Sequence, residues 1–109
     1  MDTSAFLTFI QTASYVKAAK RLIDDDSQRE IELAICADPE CGELEAGVRK
    51  MRIELPGRGK RSGARVVYYH IRPRGKVYLL EIFAKNAKIS LTAAEKNEIR
   101  KLTKALEEE

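Results

Sequence analysis

Residues 48–85 read VRKMRIELPGRGKRSGARVVYYHIRPRGKVYLLEIFAK, and the order of apolar runs and breaks in this stretch decides the fold. After Val48 the apolar residues Met51, Ile53 and Leu55 alternate with Lys50, Arg52 and Glu54. That period of two belongs to a strand with one buried face. Pro56 to Gly63 is a basic, glycine-rich loop. Ala64 to Ile71 is crowded with β-branched and aromatic side chains and predicts a second strand. Arg72-Pro73-Arg74-Gly75 predicts a tight turn, and Val77 to Ala84 a third strand. Strand, loop, strand, turn, strand predicts an antiparallel meander.

Toward the N-terminus, Ala5 to Ile10 predicts a first, edge strand. Tyr15, Ala19 and Leu22, with Val16 and Ile23 beside them, have helical spacing that stops at Asp24-Asp25-Asp26. Ser27 with Glu30 three residues later has the form of a capping box and predicts a second helix through Ile31, Ala34 and Ile35. It ends before Asp38-Pro39, because the residue preceding proline avoids helical dihedrals. Pro39 to Gly47 reads as a connecting loop. Toward the C-terminus, Thr92 and Glu95 form another capping box, which opens a helix through Ile99, Leu102 and Leu106. Glu107 to Glu109 are expected to fray. With no repeat and no linker, the expectation is one α+β domain over residues 1–109, two N-terminal helices and one C-terminal helix packed on the sheet.

Composition narrows the function. A chain of 109 residues, 44% hydrophobic and 34% charged, describes a globular protein with one modest core. No apolar run reaches the length of a membrane span, and Met1 to Ser4 lack the features of a signal peptide, so cytoplasm is the expected compartment and no membrane partner is expected. Cys36 and Cys41 are five apart, and with His70 as the one histidine they cannot complete an ordinary zinc site without carboxylates. Reduced thiols and no metal or other cofactor are expected. The glycine-rich loop lacks the GxxxxGK[ST] pattern of a nucleotide-binding loop.

The net charge of +3 is unevenly spread. Between Glu45 and Lys88, twelve Lys and Arg face only Glu45, Glu54 and Glu81, while the rest of the chain is acidic. Segregation of this kind points to a surface for a polyanion. If Met51, Ile53 and Leu55 face the helices, Lys50 and Arg52 face away. Tyr78, Leu80 and Ile82 look like the core set of the last strand, which leaves Glu81, Phe83 and Lys85 on the open face. The middle strand is apolar on both parities, and one of its two facings puts Arg65, Val67 and Tyr69 beside them. Lys50, Arg52, Arg65 and Lys85 then converge on an uncovered face.

Gly57 to Tyr69, Val77-Tyr78-Leu79-Leu80, Phe83-Ala84-Lys85-Asn86 and the Leu91-Thr92 entry to the last helix, together with Val48 to Arg52, resemble in order and spacing the HigB-like toxins of the RelE superfamily. The resemblance is good from Val48 to Leu106. It implies a RelE-like fold and a toxin that cleaves mRNA on the ribosome and is neutralised by a cognate antitoxin. It implies catalytic roles for Arg65, for the basic pair Lys50 and Arg52, and for Lys85, with Asn86 where some relatives have arginine. Leu91 and Thr92 stand where some relatives have a catalytic tyrosine, so the resemblance assigns no general base.

Metal-independent cleavage by attack of a 2′-hydroxyl on the adjacent phosphate needs a proton acceptor, a donor to the leaving oxygen and positive charge on the phosphate. Arg65 is expected to clamp the phosphate through its fork of donors, and Lys85 or Arg52 to stabilise developing charge. Lys50 is the candidate for proton transfer, since lysine gives up its proton more easily among like charges. Positioning supplied by the ribosome would compensate for weak acid–base groups. Tyr69 or Phe83 is a candidate for stacking on a base, and Arg58, Lys60, Arg61 and Asn86 for contacts to RNA. Two alternatives are a ParE-like poison of DNA gyrase and a non-catalytic RNA-binding module.

Overall fold

The computed structural model describes residues 7–55, 63–85 and 91–108. Arg58, Lys60, Arg61 and Asn86, four of the expected RNA contacts, lie outside the described residues, as does the start of the expected first strand.

The elements run β1 (Thr8–Gln11), α1 (Ala13–Leu22), α2 (Asp25–Ala37), β2 (Glu43–Glu45), β3 (Val48–Glu54), β4 (Gly63–Ile71), β5 (Lys76–Ala84) and α3 (Ala93–Glu107), with a 3-10 turn at Arg72–Arg74 between β4 and β5. They form an α+β architecture around a five-stranded sheet of order β1-β5-β4-β3-β2. β3, β4 and β5 make the antiparallel meander, while β1 joins the edge of β5 in parallel.

The starts of the helices follow their capping residues. The Thr12 hydroxyl accepts from the Tyr15 N–H and begins α1. α2 departs from expectation: its N-cap is Asp24, whose carboxylate accepts from Ser27 N–H at 2.8 Å, so the aspartate run opens the helix rather than separating two. Aspartates at a helix start satisfy free N–H groups and face the positive end of the helix dipole. The capping box of Thr92 and Glu95 is present in α3. The expected loop after Pro39 contains a short strand, β2, which pairs with β3 through a turn at Ala46 and Gly47, both at positive φ.

Each face of the sheet carries its own core. On one, Tyr15, Ile31 and Ile35 of α1 and α2 pack on Met51, Leu55, Val66, Tyr68, Leu79 and Ile82. On the other, Leu91, Ile99 and Leu106 pack on Val48, Val67, Ile71, Tyr78, Leu80 and Phe83. Two expectations are therefore corrected. The face opposite α1 and α2 is not uncovered, because α3 lies on it. In addition, Tyr78 and Leu80 belong to that second face, and only Ile82 of the expected set faces α1 and α2. A bulge is the physical reason: Val67 pairs with Glu81 while Tyr68 pairs with Leu79, which leaves Leu80 as an extra residue and inverts the facing beyond it. The middle strand takes the facing that puts Arg65, Val67 and Tyr69 together.

Candidate nucleic-acid interface

The alternation of β3 turns Lys50 and Arg52 to the α3 side, as expected from Met51, Ile53 and Leu55. Arg52 pairs in register with Arg65 of β4, and Arg65 with Phe83 of β5. Partners in register share a face, with Cβ atoms about 5 Å apart. Beyond β5 the Lys85 N–H donates to the Gly63 carbonyl at 2.8 Å, which fixes Lys85 at the end of the sheet where β4 begins. Three cationic residues thus meet where β3 and β5 end and β4 starts.

Their exposures differ. Arg52 and Lys85 are exposed, whereas Arg65 retains only 7% of its accessible surface. Its Nη1 donates to the Ala64 carbonyl at 3.4 Å, so the guanidinium lies back along its own strand. A Cβ added at Gly63 would stand 3.0 Å from the Ile53 carbonyl oxygen and 4.0 Å from Arg65 Nη1, so Gly63 keeps this corner narrow. An arginine buried beside a second arginine carries a desolvation cost and a like-charge repulsion.

Lys50 and Tyr69 are placed differently. The Lys50 ammonium lies 2.7 Å from Glu45 of β2, with side chains 13% and 20% exposed. The other oxygen of Glu45 lies 3.5 Å from Lys96 of α3. The hydrogen bond from Lys50 holds the Glu45 carboxyl below the usual carboxylate range, with Lys96 adding to it. Lys50 is therefore tied to a carboxylate and is not part of the cationic group at the sheet end. Tyr69 is partly buried against the α3 core, four residues or roughly 13 Å along β4 from Arg65. Its hydroxyl donates to Glu107, and burial together with that carboxylate pushes its pKa up to about 12. Phe83 sits beside Arg65 but is buried.

Sequence reasoning missed Glu45, Lys96 and Arg74. The alternation Glu43-Leu44-Glu45 was a strand signal three residues long. Lys96 shows its role only when α3 crosses the sheet. Arg74, read as part of a turn, donates to the Leu106 carbonyl at 3.0 Å and to the Glu107 carbonyl at 3.4 Å, capping the C-terminal end of α3.

A family model described as the RelE toxin of the RelE/RelB toxin–antitoxin system matches residues 9–109. The chain belongs to the RelE toxin family. It is thus a toxin of a toxin–antitoxin system, and an antitoxin is its partner class. Within this RelE toxin the match spans every described strand and helix apart from the start of β1, so the cationic sheet end and the α3 that covers its neighbour lie inside the matched region. Among the described residues, no helix is long and apolar enough to cross a membrane.

Proposed function

We propose that this RelE toxin is a ribosome-dependent, metal-independent endoribonuclease of the HigB-like branch, acting in the cytoplasm as a single domain over residues 1–109. The observation that supports this reading is the buried guanidinium of Arg65 standing in register with Arg52, beside the exposed Lys85. A phosphodiester entering this corner relieves the repulsion between the two arginines. It also receives a fork of donors from Arg65 and point charge from Lys85.

In the proposed step the 2′-hydroxyl oxygen bonds to the adjacent phosphorus and the bond to the 5′-oxygen breaks. The hydroxyl proton leaves to a base, and the departing oxygen takes up a proton. Arg65 and Arg52 stabilise the charge gathered on the phosphate. Lys50, tied to Glu45 and outside the cationic corner, takes no part in the step. Alignment of the attacking oxygen falls to the ribosome, which explains how a site with few acid–base groups reaches a useful rate. The cognate antitoxin silences the toxin by covering the cationic corner or by adding bulk that the ribosome cannot admit.

The test is a cell-free translation reaction in which mRNA ends are mapped after addition of the purified protein. Breaks that require ribosomes, and that vanish with Arg65→Ala, are expected. Intact mRNA with impaired DNA supercoiling would shift the reading to a gyrase poison. RNA binding without breaks would leave a non-catalytic module.

A further inference from the structure

A second cationic cleft lies at the other end of β4. It has a volume of about 190 Å³, and its lining includes Arg49, Tyr68, His70, Arg72 and Glu40. His70 and Arg72 are five and seven residues from Arg65, roughly 17 to 24 Å along an extended chain.

Part of this cleft is firmly built. The Tyr68 hydroxyl, on a fully buried side chain, donates to the Pro39 carbonyl at 2.9 Å and accepts from the Gly42 N–H at 3.0 Å. Those two bonds pin the loop that carries Glu40. Arg49 Nη1 donates to the Gly42 carbonyl at 2.9 Å and to the Glu40 carbonyl at 3.4 Å, which fixes that guanidinium at the cleft.

The remaining ion pair is loose. Arg72 Nη2 contacts Glu40 Oε1 at 2.9 Å with side chains 77% and 57% exposed. Exposed pairs of this kind contribute little, so a stronger anion can take the carboxylate's place. Phosphate is such an anion, because a guanidinium fork matches its oxygens.

We propose that Arg49, His70 and Arg72 form a phosphate-binding site for the RNA backbone, separate from the Arg52–Arg65 corner, in which the incoming phosphate displaces Glu40 from Arg72. The choice of RNA as the source of the phosphate rests on the ribonuclease reading. Burial, then the charges of Arg72 and Arg49, hold the His70 pKa below its ordinary value, while Glu40 pulls the other way. Arg74 and Glu107 line the adjoining groove with His70 and Arg72 and add one charge of each sign. A bound phosphate puts negative charge beside His70 and favours the imidazolium, so binding tightens as pH falls through the His70 pKa.

His70 is the one histidine in the sequence, so its ring signals are unambiguous in untagged protein. The experiment is a proton NMR pH titration of His70, first alone, then with inorganic phosphate, then with a short single-stranded oligoribonucleotide and its uncharged methylphosphonate counterpart. Phosphate and the oligoribonucleotide are expected to raise the His70 pKa by roughly half a unit or more, and the methylphosphonate to leave it in place. Arg72→Ala should abolish the rise, and Glu40→Gln should tighten phosphate binding several-fold. An unmoved His70 at saturating phosphate, or a Glu40→Gln protein that binds no more tightly, overturns the site. A shift with inorganic phosphate but not with the oligoribonucleotide overturns its assignment to RNA. None of these readings depends on cleavage, so they stand apart from failure of the Arg65→Ala test.

Discussion

Arg52 and Arg65 stand directly opposite each other on β3 and β4, two like charges on one face of the sheet, one exposed and one buried. Like charges opposite each other on neighbouring strands are unfavourable, and burial of a guanidinium adds a desolvation cost.

Replacing Arg52 with alanine should therefore separate stability from function. Relief of the repulsion should leave stability unchanged or raise it by roughly 0.2 to 1 kcal/mol. Loss of a donor to the charged phosphate should lower cleavage by about 10²- to 10³-fold. Urea unfolding and mapped mRNA ends measure the two effects. An Arg52→Ala protein that unfolds more easily and cleaves normally would show the pair to be structural.

The Lys50–Glu45–Lys96 chain joins β3, β2 and α3 through one carboxylate. Glu45→Gln should cost about 0.5 to 1 kcal/mol at neutral pH, because the pairs are partly exposed. The folded-state pKa of Glu45 is depressed, so the stabilisation is present above the ordinary value of 4.5 and disappears as pH falls through the lowered one. Wild-type protein should lose thermal stability in that acidic window faster than Glu45→Gln. Superimposable curves of unfolding midpoint against pH would remove Glu45 from the account.

The opposite sign governs the tyrosines. Burial pushes the hydroxyls of Tyr15 and Tyr69 up to about 12, with Glu107 adding to the effect at Tyr69. A raised pKa gives stabilisation that is complete below 10 and is lost between 10 and about 12. Spectrophotometric titration should therefore show ionisation delayed and coupled to unfolding. Tyr69→Phe should remove part of the alkaline loss and speed hydrogen exchange in the last turn of α3, which Tyr69 and Arg74 hold to the sheet. Unchanged exchange there would mean that the Tyr69 hydroxyl does not help to hold the end of the helix.

The meander and the last helix were legible because each rests on local chemistry: period-two alternation in β3 and the capping box of Thr92 and Glu95. What was not legible depends on contacts distant in sequence. The facing of α3 is decided by Leu91, Ile99 and Leu106 finding Val48, Val67 and Phe83, and amphipathicity alone does not choose between two apolar faces. The bulge at Leu80 is invisible in a run of apolar residues that suits either parity. Glu45 could not be assigned to Lys50 while its segment read as a loop. The start of α2 was misplaced because Ser27 and Glu30 have the spacing of a capping box, whereas the cap is Asp24.

The bulge also makes Thr12 informative. Thr12 N–H donates to the Leu79 carbonyl at 3.1 Å and its hydroxyl donates to the Leu80 carbonyl at 2.8 Å, while the same oxygen accepts from Tyr15 N–H at 3.1 Å. One side chain thus caps α1 and holds the extra residue whose insertion brings Phe83 into register with Arg65. Thr12→Val keeps the shape and removes both hydroxyl bonds, so it should cost about 1 to 2 kcal/mol, as the loss of a helix cap does. Thr12→Ser should restore most of the stability. If the bulge is held from α1, Thr12→Val should also move the amide resonances from Leu80 to Phe83 and lower cleavage more than its stability loss explains. Resonances that move only in the first turn of α1 would reduce Thr12 to a helix cap.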